Sequence, residues 1–352
     1  LMINIENLTQ CSIDSLKIRI PLFLLDSYDN TISRNIIETV EDTGEIDNIY
    51  KKTRKEYELD CITLTANIFD FKGVTSLYLL VNSKHLKSDY FKGLTPETIK
   101  SIYALCIEAN IMSCSFATFM EGFVTDIDFK KDFLCIVDEF QQMNRGLDTM
   151  TRQSNKRDKG SNLFPNAMGI EFSSRSKASI TNPFTKVYHK ETELKYNSFE
   201  FADRYLQHID YKDIIRIETT IKDKKHLNNT LGKQVNNNLD TVLNLSTTDK
   251  DKIMSNGFNR HLLPRTNHRV YDNTGLSSRQ LFDLQLLDLL INKNGYSFDK
   301  AIESLLSTQT NKNSKYKLKK SITKLYSDHI YNVNYTEKSA NINSILDKIG
   351  WK

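Results

Sequence analysis

Alternating hydrophobic and polar residues predict β-strands along the first two thirds of the chain. In residues 14–20, Leu16, Ile18 and Ile20 alternate with polar or charged residues. A period of two places such apolar side chains on one face of a half-buried strand. The same reasoning predicts further strands over residues 61–69, 74–82, 123–129, 168–173, 184–189 and 213–222.

Helical spacing predicts helices between these strands. The first begins at Thr95 and Pro96, which suit the N-cap and the first turn, and continues to about residue 119. A second helix is expected over residues 130–147, and the segment 191–208 is expected to be partly helical. The order βββαβαββαβ predicts an α+β fold with a mainly antiparallel sheet and helices on one face.

Polar segments predict where the chain is less regular. Residues 152–162 are polar and basic, which indicates an exposed loop. Residues 228–258 are rich in Asn, Thr, Lys and Asp with weak periodicity, which indicates a domain boundary. The predicted division is a first domain of residues 1–230, a linker of residues 231–260 and a smaller helical domain of residues 261–352.

The helical domain is predicted to contain three helices. Ser277 followed by Gln280 is the sequence pattern of a capping box and opens the first of them. The three helices are expected over residues 277–294, 298–307 and 314–328.

Composition restricts the function only loosely. The chain has 352 residues, a net charge of +4 and a pI near 8.6, which permits a polyanionic partner without requiring one. No run of residues approaches the roughly 18 apolar residues of a membrane span, so we expect no membrane partner and a cytoplasmic location. Five cysteines without a CxxC pair are expected to be reduced, small hydrophobic residues.

Three predicted strands carry polar side chains on one face each, and these side chains suggest chemistry. In chain order they are Asp126 and Asp128, then Lys186, Tyr188 and Lys190, then Arg216, Glu218, Thr220 and Lys222. If the strands are neighbours, the acids, the lysines and the tyrosine share one face of the sheet. An antiparallel sheet can leave such a face open to solvent or ligand.

This face contains the groups that phosphoryl transfer needs. Carboxylates such as Asp128 and Glu218 can hold Mg²⁺ or Mn²⁺, which polarises a phosphate. Tyr188 can attack phosphorus and become covalently attached. A phenol has a reference pKa of ~10, so Lys186 or Lys190 would have to stabilise the phenolate. The alternatives stay open, because a strand tyrosine usually packs and strand acids are usually solvated or ion-paired, for example with Arg216.

Five short motifs follow one another along the chain, and their order favours the chemical interpretation of these residues over simple packing. They cover residues 13–21, 124–128, 168–176, 188–194 and 215–222. In this order they resemble the replication initiators of filamentous phages, the gene II protein group, and more remotely the trans-acting Rep proteins of rolling-circle plasmids. Tyr188-x-Lys190-x-x-Glu193-Leu194 is similar to the nucleophile motif of that family, and residues 215–222 are similar to its Val-Arg-Phe-Glu-x-x-Ile-Lys strand.

The resemblance implies roles for individual residues. Tyr188 would be the nicking tyrosine, Lys190 an active-site cation, and Asp128 and Glu218 metal-binding or supporting carboxylates. Asp126 occupies the position of a family arginine, so it is either a further metal ligand or a solvated surface charge. The histidine–hydrophobic–histidine metal motif is absent from the sequence, so the set of metal ligands stays open. His189, His208 and Glu193 are possible further contributors.

The resemblance also implies a fold and an activity. The first domain would be a relaxase-like endonuclease that nicks and rejoins one DNA strand through a 5′-phosphotyrosine, with host helicase and polymerase as partners. Its DNA would be a replication origin, both single-stranded and supercoiled. The cationic residues expected to contact DNA are Arg175, Lys177, Lys186, Arg216, Lys315, Lys317, Lys319 and Lys320.

Other functions remain open at this stage. They are a relaxase of a mobile element and a DNA-binding replication regulator without catalysis. A second tyrosine, Tyr196 or Tyr205, could serve in termination.

Overall fold

A computed structural model describes most of the chain. The described residues are 10–39, 46–152, 160–173, 184–262, 275–294, 298–307, 309–329, 347–348 and 350–351. Within them the fold is α+β, with a large antiparallel sheet and helices, which confirms the predicted class. Among these residues no helix combines the length and the hydropathy needed to cross a membrane.

The described strands are numbered β1 to β13 along the chain. They are β1 (Ser12–Pro21), β2 (Ser27–Tyr28), β3 (Arg34–Thr39), β4 (Ile46–Lys52), β5 (Arg54–Leu59), β6 (Ile62–Phe71), β7 (Val74–Asn82), β8 (Met112–Ser113), β9 (Phe123–Leu134), β10 (Gly160–Leu163), β11 (Gly169–Ser173), β12 (Phe184–His189) and β13 (Ile214–Ile221).

The described α-helices are numbered in the same way. They are α1 (Ile99–Glu108), α2 (Phe116–Met120), α3 (Val137–Arg152), α4 (Lys190–Asn197), α5 (Phe199–Tyr205), α6 (Lys224–Leu231), α7 (Leu239–Leu243), α8 (Thr247–Leu262), α9 (Ser278–Lys293), α10 (Phe298–Leu306) and α11 (Lys312–His329).

The chain divides into two compact units. The first unit comprises residues 1–132, 191–212 and 218–254, and the second comprises residues 133–190, 213–217 and 255–352. The first unit contains the strand order β13-β9-β1-β7-β6-β5, and the second contains β10-β11-β12-β13. Strand β13 contributes its first residues to the second unit and the rest to the first.

Alternation builds the core of the first unit. Leu16, Ile18 and Ile20 of β1 are fully buried, as the pattern predicted. Strand β1 pairs antiparallel with β7 on one side and with β9 on the other. The hairpin between β6 and β7 turns at Lys72 and Gly73, which both have positive φ angles of 51° and 81°. Glycine adopts that region without strain, which explains the turn.

The last three helices pack on one another within the second unit. Ser277 and Gln280 form the predicted capping box, in which the amide of Gln280 donates to the Ser277 hydroxyl at 3.3 Å and the Ser277 amide donates to Gln280 Oε1 at 2.9 Å. Their shared apolar cluster consists of Leu284, Leu287, Ile291, Phe298, Ala301, Ile302 and Ile322. Burying this cluster stabilises three helices that are otherwise polar.

Two predicted helices were wrong in their limits. The helix expected from Thr95 to residue 119 ends much earlier, since α1 covers only Ile99–Glu108. Asn110 then takes a positive φ of 53°, and Met112–Ser113 pairs as a strand with Ser27–Tyr28. The helix expected over residues 130–147 begins only at residue 137, since the preceding residues continue strand β9.

Other expected segments also differ from the structure. Part of the predicted loop, Gly160–Leu163, is strand β10 and pairs with β11. Lys190 is the first residue of helix α4 and not a continuation of β12. The predicted linker contains α7 and most of α8, and the backbone of Asn237 in this segment accepts a hydrogen bond from the Val124 amide at 2.7 Å.

Candidate active site

Tyr188 lies at the end of β12, one residue before the strand passes into helix α4. Strand β12 pairs antiparallel with β11, and Tyr188 is directly opposite Gly169. A β-carbon at position 169 would come within 2.9 Å of the Tyr188 β-carbon and 2.4 Å of the Phe164 ring. Only glycine leaves room here, so Gly169 determines how closely Tyr188 approaches the neighbouring strand.

The turn that precedes Gly169 is anchored by helix α3. The Asn144 side chain donates to the carbonyl of Ala167 at 2.8 Å, and Gln141 Nε2 lies 3.3 Å from the sulfur of Met168. On the other side, the amide of His189 donates to the carbonyl of Met168 at 2.9 Å. These bonds fix the backbone on both sides of the Gly169–Tyr188 pair.

Two ammonium groups lie beside the Tyr188 ring. Lys190 Nζ is 5.2 Å from the ring centroid and Lys186 Nζ is 5.3 Å from it. Both distances are within the range of a cation–π interaction. Lys190 is only 2% exposed and Lys186 is half-buried. The structure therefore places both lysines beside Tyr188, Lys186 from strand β12 and Lys190 from helix α4.

The candidate residues are more buried than the sequence suggested. Tyr188 is 5% exposed, and all eight residues of β13 are buried, including Arg216 at 0% and Glu218 at 3%. The expectation of a polar sheet face open to solvent was wrong for β13. Alternation identifies two faces of a strand but not whether other elements cover the polar one.

Asp128 lies on β9 in the first unit and is oriented by two hydroxyl groups. The Ser15 hydroxyl donates to Asp128 Oδ2 at 2.5 Å, and the Thr220 hydroxyl donates to Oδ1. Ser15 is the direct partner of Asp128 in the β1–β9 ladder. Alternation along β13 places Glu218 on the same face as Thr220. Oxygen donors held in this way fit a hard divalent cation, whose carboxylate ligands are usually hydrogen-bonded themselves.

Asp126 has a different environment from Asp128. Its Oδ2 atom forms an ion pair with Lys222 Nζ at 2.9 Å, and the two side chains are 30% and 44% exposed. Such a partly exposed pair contributes little to stability. Nowhere in the described part of the chain do three or more His, Cys, Asp or Glu side chains form a group that could hold a metal ion.

The other candidate tyrosines have their own contacts. Tyr196 is 84% exposed. The Tyr205 hydroxyl donates to the Asp60 carboxylate, and this hydrogen bond raises the pKa of Tyr205. A raised pKa disfavours the phenolate, so this hydrogen bond makes Tyr205 a poorer nucleophile than an unperturbed tyrosine.

The predicted DNA-binding cations have different accessibilities. Lys317, Lys319 and Lys320 are exposed on helix α11, and Lys315 is half-buried. Arg216 is fully buried. Arg175 and Lys177 lie outside the described residues.

The five cysteines are free thiols, and all except Cys61 are buried. Burial raises the pKa of Cys106 to about 12 and that of Cys135 to about 11. Both thiols are therefore protonated at neutral pH, and a protonated thiol is a poor nucleophile.

Sequence reasoning missed several residues that position candidate side chains within each unit. Gly169, Asn144 and Ser15 were not singled out as functional, and Thr220 was placed on the polar face of its strand without a role. An isolated glycine in a strand pattern does signal a close backbone approach, so Gly169 could have been found. Ser15 and Thr220 could not, because their role depends on strand register.

Comparisons of the chain with family models, with curated proteins and with solved structures found no match.

Proposed function

We propose that the protein initiates rolling-circle DNA replication by nicking one strand of an origin and later rejoining it. The phenolic oxygen of Tyr188 attacks the scissile phosphorus, a tyrosine–phosphate bond forms, and the bond to the 3′ oxygen breaks. The phenol loses its proton and the leaving 3′ oxygen gains one. The products are a 5′-phosphotyrosine and a free 3′-hydroxyl, which a host polymerase extends with the help of a host helicase.

The observation that carries this proposal is the position of two ammonium groups beside the ring of Tyr188. Lys190 and Lys186 lie 5.2 Å and 5.3 Å from the ring centroid. Fixed positive charge stabilises negative charge on the phenolic oxygen and on the phosphate oxygens, and it does so more strongly where water is excluded. Lys190, at 2% exposure, provides such a fixed charge.

Asp128 and Glu218 are the acids proposed to bind Mg²⁺ or Mn²⁺. Mg²⁺ is commonly held by one or two carboxylates, with water and substrate phosphate as its other ligands. The two hydroxyl donors on Asp128 fix the orientation of its carboxylate. When bound, the cation would polarise the scissile phosphate. Asp126 is proposed as a secondary contributor because Lys222 already pairs with it.

Helix α11 is proposed to contact phosphates without reading sequence. Its exposed lysines Lys317, Lys319 and Lys320 are accessible to a polyanion. Each phosphate that such a lysine neutralises releases counterions, which makes binding depend on salt.

One observation favours a second function, that of a DNA-binding regulator without catalysis. Tyr188 is only 5% exposed, so a DNA strand has to gain access to its hydroxyl. Under the catalytic proposal, binding of DNA exposes this hydroxyl. Under the alternative, the lysines and the tyrosine are a structural cluster.

A nicking assay separates the two functions. Supercoiled DNA carrying the cognate origin is incubated with wild-type protein, Tyr188→Phe and Tyr196→Phe in the presence of Mg²⁺ or Mn²⁺. We expect open circles and a covalent protein–DNA product with wild type and Tyr196→Phe, and binding without linkage with Tyr188→Phe. Binding without nicking by wild type would establish the regulator instead.

A further inference from the structure

A second polar and aromatic surface lies in the first unit, on the side of the sheet opposite its apolar core. In β1, Lys17 and Arg19 alternate with the buried residues Leu16 and Ile18. The neighbouring strands contribute rings to the same side, because Arg19 is paired with Tyr78 of β7 and with Phe123 of β9. We call this surface the aromatic face. Its members are Lys17, Arg19, Phe69, Phe71, Tyr78 and Phe123.

Cations and rings alternate across the aromatic face. The Arg19 guanidinium lies between two rings, 4.7 Å from the centroid of Phe71 and 4.9 Å from that of Phe123. Lys17 Nζ lies 5.4 Å from the Tyr78 ring, and Phe69 meets Tyr78 edge to face at 5.8 Å. Cation–π contacts of this kind hold the cations and the rings in defined positions.

Two of the rings are unusually accessible for their size. Phe69 is 45% exposed and Phe71 is 47% exposed, while Tyr78 is 8% exposed. Scattered exposed aromatics need no explanation, but rings clustered among cations on one sheet face indicate a binding surface. Arg19 Nε is buried and has no hydrogen-bond partner among the described residues.

The charge of the aromatic face is positive. Lys17 and Arg19 are joined by Lys72, whose Nζ lies 5.5 Å from the Phe71 ring. Two neighbouring acids are ion-paired, since Asp126 pairs with Lys222 and Glu56 pairs with Arg54. A positive surface with accessible rings complements a ligand that has both phosphates and flat bases.

We propose that the aromatic face binds single-stranded DNA, with bases stacked on Phe69 and Phe71 and phosphates bound by Lys17, Arg19 and Lys72. Aromatic platforms beside cationic side chains bind single strands in this manner. A duplex is excluded from the stacking positions because its bases already stack on one another. This inference extends the proposed function, since it assigns a path to the strand that is nicked.

The strand register relates the aromatic face to Asp128. Ser15 pairs with Asp128 and Arg19 pairs with Phe123 along the same strand β1. Four residues of a strand span about 13 Å. A single strand stacked on the aromatic face would therefore lie close to the proposed metal-binding carboxylate.

Binding is tested without cleavage. The probe is a fluorescein-labelled oligothymidine of roughly 20 nucleotides, and binding is measured by fluorescence anisotropy without divalent metal. All variants are made in a Tyr188→Phe background. Phe69→Ala and Phe71→Ala are each expected to weaken binding roughly 5- to 100-fold, the range for loss of one base–aromatic stack. Phe199→Ala is the matched control, because Phe199 is 66% exposed but lies on α5.

A second measurement separates stacking from charge. Lys72→Gln is expected to reduce the slope of log affinity against log salt by about 0.7, the value for one phosphate contact on a single strand. Melting temperatures of all variants should match that of the background protein, because the substituted side chains are exposed.

The proposal is overturned if Phe69→Ala and Phe71→Ala bind the oligonucleotide as the background protein does. It is equally overturned if a duplex of the same length competes as well as the single strand, or if the substitutions change only the oligomeric state. Failure of Tyr188 to form a covalent bond would leave this result unaffected, so the two proposals can fail separately.

Discussion

Gly169 and Tyr188 face each other across the β11–β12 ladder, and a β-carbon on Gly169 would approach the Tyr188 β-carbon to 2.9 Å. Because Gly169 has no side chain, the proposed nucleophile Tyr188 can lie this close to strand β11. Phe164 closes the same space, since one of its ring carbons would lie 2.4 Å from that β-carbon.

Gly169→Ala is therefore expected to displace Tyr188 or Phe164. Overpacking of this kind costs about 1–3 kcal/mol of unfolding free energy. We expect reduced stability in urea unfolding and reduced covalent linkage to origin DNA. The matched control is Gly146→Ala in helix α3, where a β-carbon meets nothing within 4 Å and alanine should stabilise the helix by up to ~1 kcal/mol. Wild-type stability and linkage for Gly169→Ala would show that the ladder does not restrict Tyr188.

Lys190→Met tests the electrostatic role of the buried ammonium group. Loss of one preorganised charge stabiliser lowers catalytic rates by about 100-fold or more. We expect that loss in the rate of covalent linkage, with DNA affinity changed far less. Lys195→Met on the same helix is the control, because Lys195 is 62% exposed and pairs only with Glu191 in the described contacts. Equal rates for the two variants would assign Lys190 to structure alone.

The two hydroxyls on Asp128 lead to a prediction about metal dependence. Ser15→Ala and Thr220→Val each remove one hydrogen bond that orients the carboxylate. Loss of an outer-shell partner typically lowers metal affinity 10- to 100-fold. We expect a higher Mg²⁺ concentration for half-maximal nicking in both variants and no nicking by Asp128→Asn. Asp126→Asn should nick DNA at nearly the wild-type Mg²⁺ concentration. If instead Asp126→Asn abolishes nicking and Asp128→Asn does not, Asp126 is the principal ligand.

The lowered pKa of Asp29 leads to a prediction about how the unfolding free energy depends on pH. Burial raises the pKa of Asp29, but hydrogen bonds from Lys55, Tyr57 and Thr31 outweigh this effect and hold the pKa well below its usual range. The lysine and tyrosine bonds are both 2.6 Å long. A depressed carboxyl pKa stabilises the fold above the unfolded value of ~3.9, and this stability is lost as the pH falls through the folded value.

Asp29→Asn should therefore lower the unfolding free energy by about 1–3 kcal/mol at pH 7. The difference from wild type should shrink progressively as the pH falls below ~4, because the carboxyl of the unfolded wild-type chain then binds a proton while the folded one, with its lower pKa, does not. Urea unfolding at neutral and acidic pH measures both effects. Exposed Asp26 provides the control substitution, and a difference from wild type that is independent of pH would contradict the assignment.

Local patterns in the sequence predicted much of the fold. Strand β1 was recognisable because its apolar residues alternate strictly, and the three C-terminal helices because Ser277 and Gln280 cap the first of them. Strand β9 was predicted too short, since Lys130 and Asp132 look like surface residues. In the structure they are 1% and 2% exposed and form an ion pair with a distance of 3.4 Å.

The candidate site was predictable only in part. Tyr188 and its lysines are close in sequence, so strand alternation and the following helix bring them together. The hydroxyls of Ser15 and Thr220 reach Asp128 from positions 113 and 92 residues away along the chain. Contacts between residues so far apart in the sequence depend on strand order, which local patterns do not specify. The same reason explains why the burial of Arg216 and Glu218 was not foreseen.

The most direct test is to locate the amino acid that becomes linked to DNA. Wild-type protein is incubated with origin DNA and Mg²⁺, the complex is digested with nuclease and trypsin, and the peptide that retains a nucleotide is identified by mass spectrometry. We predict the peptide of residues 187–190, in which Tyr188 is the sole tyrosine. A nucleotide on a peptide that contains Tyr196 or Tyr205, with residues 187–190 unmodified, would contradict the account.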